Sequence, residues 1–133
     1  MTNPLIVSDT GAPSRMTGLH GGEGVNLWKR FVTGLMLNAD WDSFEHNSLQ
    51  PGGVIGEHVH TRTEEIYFIV RGRGSMTFDG EVFEVEAGDL IMTPLNGRHG
   101  IRNISDEPLE FVVAEALPPA IASLLPDYSP SAN

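Results

Sequence analysis

Turn punctuation constrains this chain more than any other feature. Clusters of glycine, proline, asparagine and aspartate punctuate the chain at Pro51-Gly52-Gly53 and then, roughly every ten residues, at Asp79-Gly80, Ala87-Gly88-Asp89, Pro94 to Gly97 and Ser105 to Pro108. Between them lie short runs rich in β-branched and aromatic residues. No helical period is sustained until the tail, so the pattern predicts an all-β sandwich or barrel. Asp79-Gly80 is the sharpest of these signals, because it supplies the positive φ angles of a two-residue type I′ hairpin. Met76, Phe78, Val82 and Phe83 are expected to give that hairpin its apolar cover.

Strands are expected over residues 25–33, 43–50, 54–60, 65–71, 90–93, 99–104 and 109–116, besides the two arms of the hairpin. Residues 1–24, with Pro4, Pro13 and four glycines from Gly18 to Gly24, read as an N-terminal arm carrying an edge strand at Leu5 to Val7. The barrel then covers 25–117. The tail, 118–133, starts with a short helix over 119–125, proline in its first turn.

A chain of 133 residues holds one domain with a core of its own. Eight Lys and Arg against 18 Asp and Glu give a formal charge of -10, which makes nucleic acid and anionic membrane surfaces poor partners. Cysteine is absent, which removes disulfides and thiolate chemistry. No basic segment leads into an apolar one at the N-terminus, and no apolar run approaches the roughly 18 residues of a membrane span. A soluble cytoplasmic protein is expected.

The chemistry concentrates between Gly52 and Gly72. His58 and His60 are one residue apart, so on a strand both imidazoles project from one face. The polar residues from Thr61 to Glu64 suit a reversal that brings Glu65 back beside them. Two imidazoles and a carboxylate suit a divalent ion such as Mn, Fe, Co, Ni or Zn. His99 lies downstream in a similar strand context. Glu64, the neighbour of Glu65, is expected to point outward.

The spacing of these residues resembles the two motifs of the cupin superfamily. Gly52, His58, His60, Glu65 and Gly72 match G-x5-H-x-H-x4-E-x6-G in full. Gly88, Pro94, His99 and Asn103 match G-x5-P-x-G-x2-H-x3-N, with Asn96 where the family has glycine; asparagine tolerates the left-handed backbone better than most residues. The resemblance implies a cupin-type jelly-roll β-barrel with one divalent transition-metal ion, Mn, Fe, Ni or Zn, bound by His58, His60, Glu65 and His99. It also implies a homodimer, paired through sheet edges or an exchanged N-terminal strand.

Other polar residues are secondary. Tyr67 and Ile69 share the face of Glu65; Tyr67 is a candidate pocket residue, a wall rather than an acid or base. Ile66, Phe68 and Val70 fall on the opposite face. His46 reads as a surface or supporting residue and His20 as part of the arm. Arg30, Arg98 and Arg102 are candidate carboxylate anchors, with Arg102 outside the barrel if its strand is regular. Two functions of different class follow. One is a metal-dependent enzyme acting on a small organic molecule in an otherwise apolar barrel, by dioxygenase, decarboxylase, isomerase, cyclase or lyase chemistry. The other is a cupin that binds a small molecule or sugar without transforming it, motivated by the lack of any acid or base beyond the metal site.

Overall fold

The computed structural model describes residues 10–33 and 40–125 of the chain. Among these residues ten strands are present: β1 (Ser14–Thr17), β2 (Val25–Thr33), β3 (Trp41–Leu49), β4 (Val54–Val59), β5 (Glu64–Arg71), β6 (Arg73–Phe78), β7 (Glu81–Glu86), β8 (Leu90–Thr93), β9 (Arg98–Asn103) and β10 (Leu109–Ala116). One helical turn, α1 (Pro119–Ala122), follows. The strands form two antiparallel sheets, a larger one ordered β1-β2-β3-β10-β5-β8 and a smaller one ordered β4-β9-β6-β7. This double-sheet barrel is the all-β architecture expected from the turn spacing and the jelly roll that the cupin resemblance implies.

Alternation builds the core. Along β10 every second residue is buried, and β5 does the same through Glu65, Tyr67 and Ile69. Leu49, Tyr67, Ile69, Leu109, Phe111 and Val113 from the larger sheet meet Ile55, Met76, Val85 and Ile101 from the smaller one. Each large apolar side chain buried this way stabilises the fold by about 1.5–3 kcal/mol. The opposite face of β5 and β8 carries Ile66, Phe68, Val70, Leu90 and Met92, all at least 40% exposed.

The hairpin between β6 and β7 turns through Asp79 (φ 46°) and Gly80 (φ 85°), as the Asp-Gly pair requires. Its apolar cover differs from expectation. Met76 is fully buried, but Val82 is 68% and Phe83 37% exposed; β7 is the outer strand of the smaller sheet, and among its residues only Val85 reaches the core. At the second motif, Asn96 takes a φ of 66° and its N–H donates to the His60 carbonyl at 2.9 Å. The glycine that follows is needed for packing: a Cβ on Gly97 would stand 2.6 Å from the Phe78 ring.

Ahead of β2 the chain is ordered into the barrel. β1 pairs with β2 in the register Ser14↔Trp28 to Thr17↔Val25, and the glycine-rich strap after it makes a 3-10 turn, Leu19–Gly21. The strap then bridges to the start of β4 through Glu23 and Val54. The edge strand read at Leu5 to Val7 lies outside the described residues, as does the tail beyond residue 125. The helix stops at Ala122, where Ser123 Oγ donates to the Ala120 carbonyl (3.0 Å) and competes with a further turn. No helix among the described residues is long and apolar enough to cross a membrane.

Candidate metal centre

A β-bulge places the histidines. β4 pairs with β9 as Ile55↔Ile101 and then His58↔His99, so three residues on one strand match two on the other. Ile55 faces the core. Without the extra residue the alternation would turn His58 outward; with it, His58 points inward, Val59 outward, and His60, just past the strand, inward again. Gly56 makes the bulge compatible with its neighbours, since a Cβ there would stand 2.0 Å from the His20 carbonyl oxygen. Glu65 arrives from β5 of the larger sheet, paired with Glu115 and Thr93. The four side chains converge, and one donor atom from each of His58, His60, Glu65 and His99 lies within 4.8 Å of the others. Glu64 is exposed, as alternation predicts.

The donor set fits a metal ion in its protonation as well as its position. His58 Nδ1–H donates to the Gly56 carbonyl (2.8 Å) and His99 Nδ1–H to the Gly97 carbonyl (3.2 Å). A carbonyl only accepts, so both rings are fixed with the Nε2 lone pair free. His60 Nδ1 lies 3.3 Å from Thr63 Oγ1, while its Nε2 lies 2.7 Å from Glu65 Oε1. His99 Nε2 and Glu65 Oε1 are buried without an aligned hydrogen-bond partner, although the two atoms are only 3.4 Å apart. Buried polar atoms are rarely left so unless something else satisfies them. A borderline divalent cation coordinated by imidazole and carboxylate would do so.

Charge follows burial here. Burial holds the His58 imidazole down to about 4 against its usual 6.5, outweighing the Gly56 carbonyl that favours the charged form. Burial would raise Glu65, but the imidazoles of His60 and His99 beside it prevail and hold it near 2. Glu115, on β10, is pushed up to about 10 by burial and by the nearby Glu45 and Glu65 carboxylates. Its Oε1 lies 3.7 Å from His60 Nδ1. A neutral carboxyl at that distance forms neither an ion pair nor a hydrogen bond, so the contact is one of packing.

The cavity against these ligands mixes the apolar walls expected, Leu19, Ile55, Phe111 and Val113, with polar ones that were not. Beside the ligands His58, His60 and Glu65 it is lined by His20, Glu45, Asn47 and Tyr67, and it encloses about 20 Å³, the room of a single water. Glu45 and Asn47 project inward because β3 alternates with the phase of Leu49; both are buried. Neither was singled out from the sequence, though alternation back from Leu49 points to both. His20 also departs from its reading as an arm residue. It sits in a left-handed conformation (φ 52°) and stacks on His58 with ring centroids 3.8 Å apart. It borders both the inner cavity and an outer hollow of about 210 Å³ that Arg62 also lines. Glycine makes this possible, because a Cβ on Gly22 would stand 1.7 Å from the Val54 carbonyl oxygen.

Tyr67 is a wall residue, 4% exposed, stacked on Phe111 and edge-on to His99. Burial, together with the charges of Glu65, Glu115 and Glu45, raises its phenol well above its ordinary value. His46 lies on the other face of β3, 2.7 Å from Glu110. Of the arginines, Arg98 and Arg102 are exposed, while Arg30 comes within 3.4 Å of Glu45.

Comparison with known proteins adds three findings. The cupin domain family matches residues 46–115. An uncharacterized protein of Methanocaldococcus jannaschii is 49% identical over 55 residues, 41% of this chain and 44% of that protein, so the match spans under half of that relative. The oxalate-binding protein of Thermotoga maritima is 28% identical over 111 residues, 84% of this chain and 92% of the relative. A crystal structure from the same organism, described as a predicted oxalate decarboxylase, superposes with a TM-score of 0.81 at 27% identity. That superposition covers 86% of this chain and 100% of the other.

Proposed function

The chain belongs to the cupin domain family, and from that premise we propose that it is a metal-dependent enzyme that chelates and decarboxylates a small carboxylic acid. His58, His60, Glu65 and His99 hold one divalent transition-metal ion in this reading. The observation that carries it is the convergence of the four donors, with two of the imidazoles tied back through Nδ1 so that Nε2 faces the others. A bound ion would supply Lewis-acid polarisation of a coordinated carboxylate.

The protein's own residues supply selection. A cavity of about 20 Å³ admits only a very small guest without movement of a wall, and the wall shared with the outer hollow is made of His20 and the ligands His58 and His60. Arg62 at that hollow offers the local positive charge that the chain as a whole, at -10, does not. The relatives named for oxalate support a two-carbon diacid as ligand. The same relative also favours a second reading, binding without turnover, because it is named for binding alone.

Elemental analysis of tag-free protein tests the ion, and formate release from oxalate tests the reaction. Near-stoichiometric metal, lost in His58→Ala together with turnover, is the expected result. Metal and oxalate binding without formate favours the binding reading. Substrate-dependent oxygen uptake redirects the search to dioxygenase chemistry, and metal without oxalate binding to isomerase, cyclase or lyase substrates. A His58→Ala variant that loses its ion yet keeps full turnover overturns the assignment.

A further inference from the structure

The strap between β1 and β2 sets one bulky side chain among glycines. Gly18, His20, Gly21 and Gly24 take left-handed φ angles of 62°, 52°, 74° and 70°. Glycine adopts that backbone readily, whereas a histidine there is uncommon and strained. The surroundings of the strap hold the strain in place. Gly18 N–H donates to the Gly24 carbonyl at 3.1 Å, Glu23 N–H to the Val54 carbonyl at 2.9 Å and Val54 N–H to the Glu23 carbonyl at 2.6 Å, and Leu19 packs against the core. With the backbone pinned at these points, the movable part that the strap offers to the site is the His20 side chain.

Its ring stands at a partition. The inner cavity of about 20 Å³ and the outer hollow of about 210 Å³ share three wall residues, His20, His58 and His60. Two of these are candidate ligands, which coordination would hold still; His20 is outside that set. Among the described residues the His20 side chain has no hydrogen-bond partner. It is held by its stack on His58, with ring centroids 3.8 Å apart and planes inclined by 11°, a contact that fills space without tying the ring down. Beyond it Arg62 lines the hollow. That guanidinium has no acidic partner among the described residues, so it is available to a carboxylate.

We propose that His20 is the residue that sets ligand size at this site, its ring closing the inner cavity against acids longer than oxalate. The inference rests on the carboxylate reading above for the class of ligand, and on the shared wall for the closure. An acid with one carboxylate on the ion and a longer chain must pass that chain through the space the ring fills. Removing the ring joins the two spaces, and the second carboxylate of a longer diacid then has Arg62 on offer as a partner.

The test compares cobalt-loaded wild type, His20→Gly and His20→Gly combined with Arg62→Gln, following the visible bands of the bound ion as oxalate or succinate is added. Glycine suits the backbone of position 20, and elemental analysis after gel filtration puts each affinity on the basis of bound ion. Wild type is expected to bind oxalate and exclude succinate. His20→Gly should gain succinate affinity by about tenfold or more with no gain for oxalate, and Arg62→Gln should remove that gain. General damage to the strap would weaken both acids together. A preference between the two acids that is the same in wild type and His20→Gly overturns the proposal.

If neither acid reaches the ion, the carboxylate reading fails, and azide against imidazole repeats the comparison with a small and a larger ligand that are not carboxylates; an unchanged preference again overturns the role of His20. If no ion is taken up, the metal-free protein decides through water exchange of the Asn47 side-chain amide, which lines the inner cavity but not the outer hollow. That amide should exchange about tenfold faster in His20→Gly, and equal rates overturn the proposal.

Discussion

At the scale of single residues, the site stores opposing electrostatic terms that a pH profile should separate. His58 binds its proton near 4 folded and near 6.5 unfolded, so below 6.5 the unfolded chain binds more protons and stability falls until about 4 is passed. Glu65 is held near 2 against 4.5; its contribution is present above 4.5 and lost as pH falls toward 2. Glu115 acts the other way, because its folded value of about 10 lies above 4.5, so stability falls as pH rises between them. Between 4.5 and 6.5 the His58 and Glu115 slopes, each about 1.4 kcal/mol per pH unit, cancel. Urea unfolding of metal-free protein should therefore give a plateau over that window and a decline on both sides. Glu115→Gln should flatten most of the alkaline decline, leaving the part that the raised Glu45 carboxyl adds, and stability that rises from pH 7 to 9 in wild type contradicts the assignment. Much of the site could be read from the sequence at this scale, because His58, His60, Glu65 and His99 stand at fixed spacing around a reversal. His20 could not, since its contact with His58 joins positions far apart in the chain. Glu45 was legible only through the alternation of β3, and polar residues on an inward face run against the usual reading of a strand.

At the scale of elements, the bulge in β4 and the strap over it form one device. Gly56 lies against the His20 carbonyl and Gly22 against the Val54 carbonyl, so the backbones touch at two points where no side chain fits. Gly56→Ala would bring a Cβ to 2.0 Å from a backbone oxygen, which must move. The expected cost is about 1–3 kcal/mol of stability, with His20 lifted from His58 and weaker metal binding. Calorimetry with Mn and the NMR shifts of the His20 ring check both parts; an unchanged His20 with unchanged affinity refutes the coupling. Strand positions were legible because Pro51-Gly52-Gly53, Asp79-Gly80 and Ala87-Gly88-Asp89 terminate them chemically. The bulge was not, since nothing in Val54 to His60 marks the extra residue except Gly56, and a glycine in a strand has several meanings. The strap reads as loose for a related reason: its glycines signal freedom, whereas here Gly22 permits close contact.

At the scale of the whole molecule, the candidate ligands tie the two sheets together. His58 and His99 belong to adjacent strands of the smaller sheet, His60 follows β4, and Glu65 belongs to β5 of the larger sheet. The sheets also meet through the apolar core and a hydrogen bond from Asn103 Nδ2 to the Leu49 carbonyl; the core tolerates small shifts that four directional bonds to one ion would not. In the metal-free protein, Glu65 Oε1 reaches the histidines by contacts of 2.7 Å to His60 Nε2 and 3.4 Å to His99 Nε2. An ion bound to the folded state alone stabilises it by RT ln(1 + [L]/Kd), about 2.7 kcal/mol at a hundredfold excess over Kd. For a domain of this size that raises Tm by roughly 8–15 °C. Chelator-treated protein titrated with Mn, Fe, Ni or Zn should show the rise, and its size at equal free concentration ranks the ions. Glu65→Gln replaces the one ligand from the larger sheet with a neutral amide, so it should lose most of the rise while keeping the rest of the barrel. A wild-type Tm indifferent to every ion would mean that the four donors converge without coordinating, and the enzymatic reading would lose the observation on which it stands.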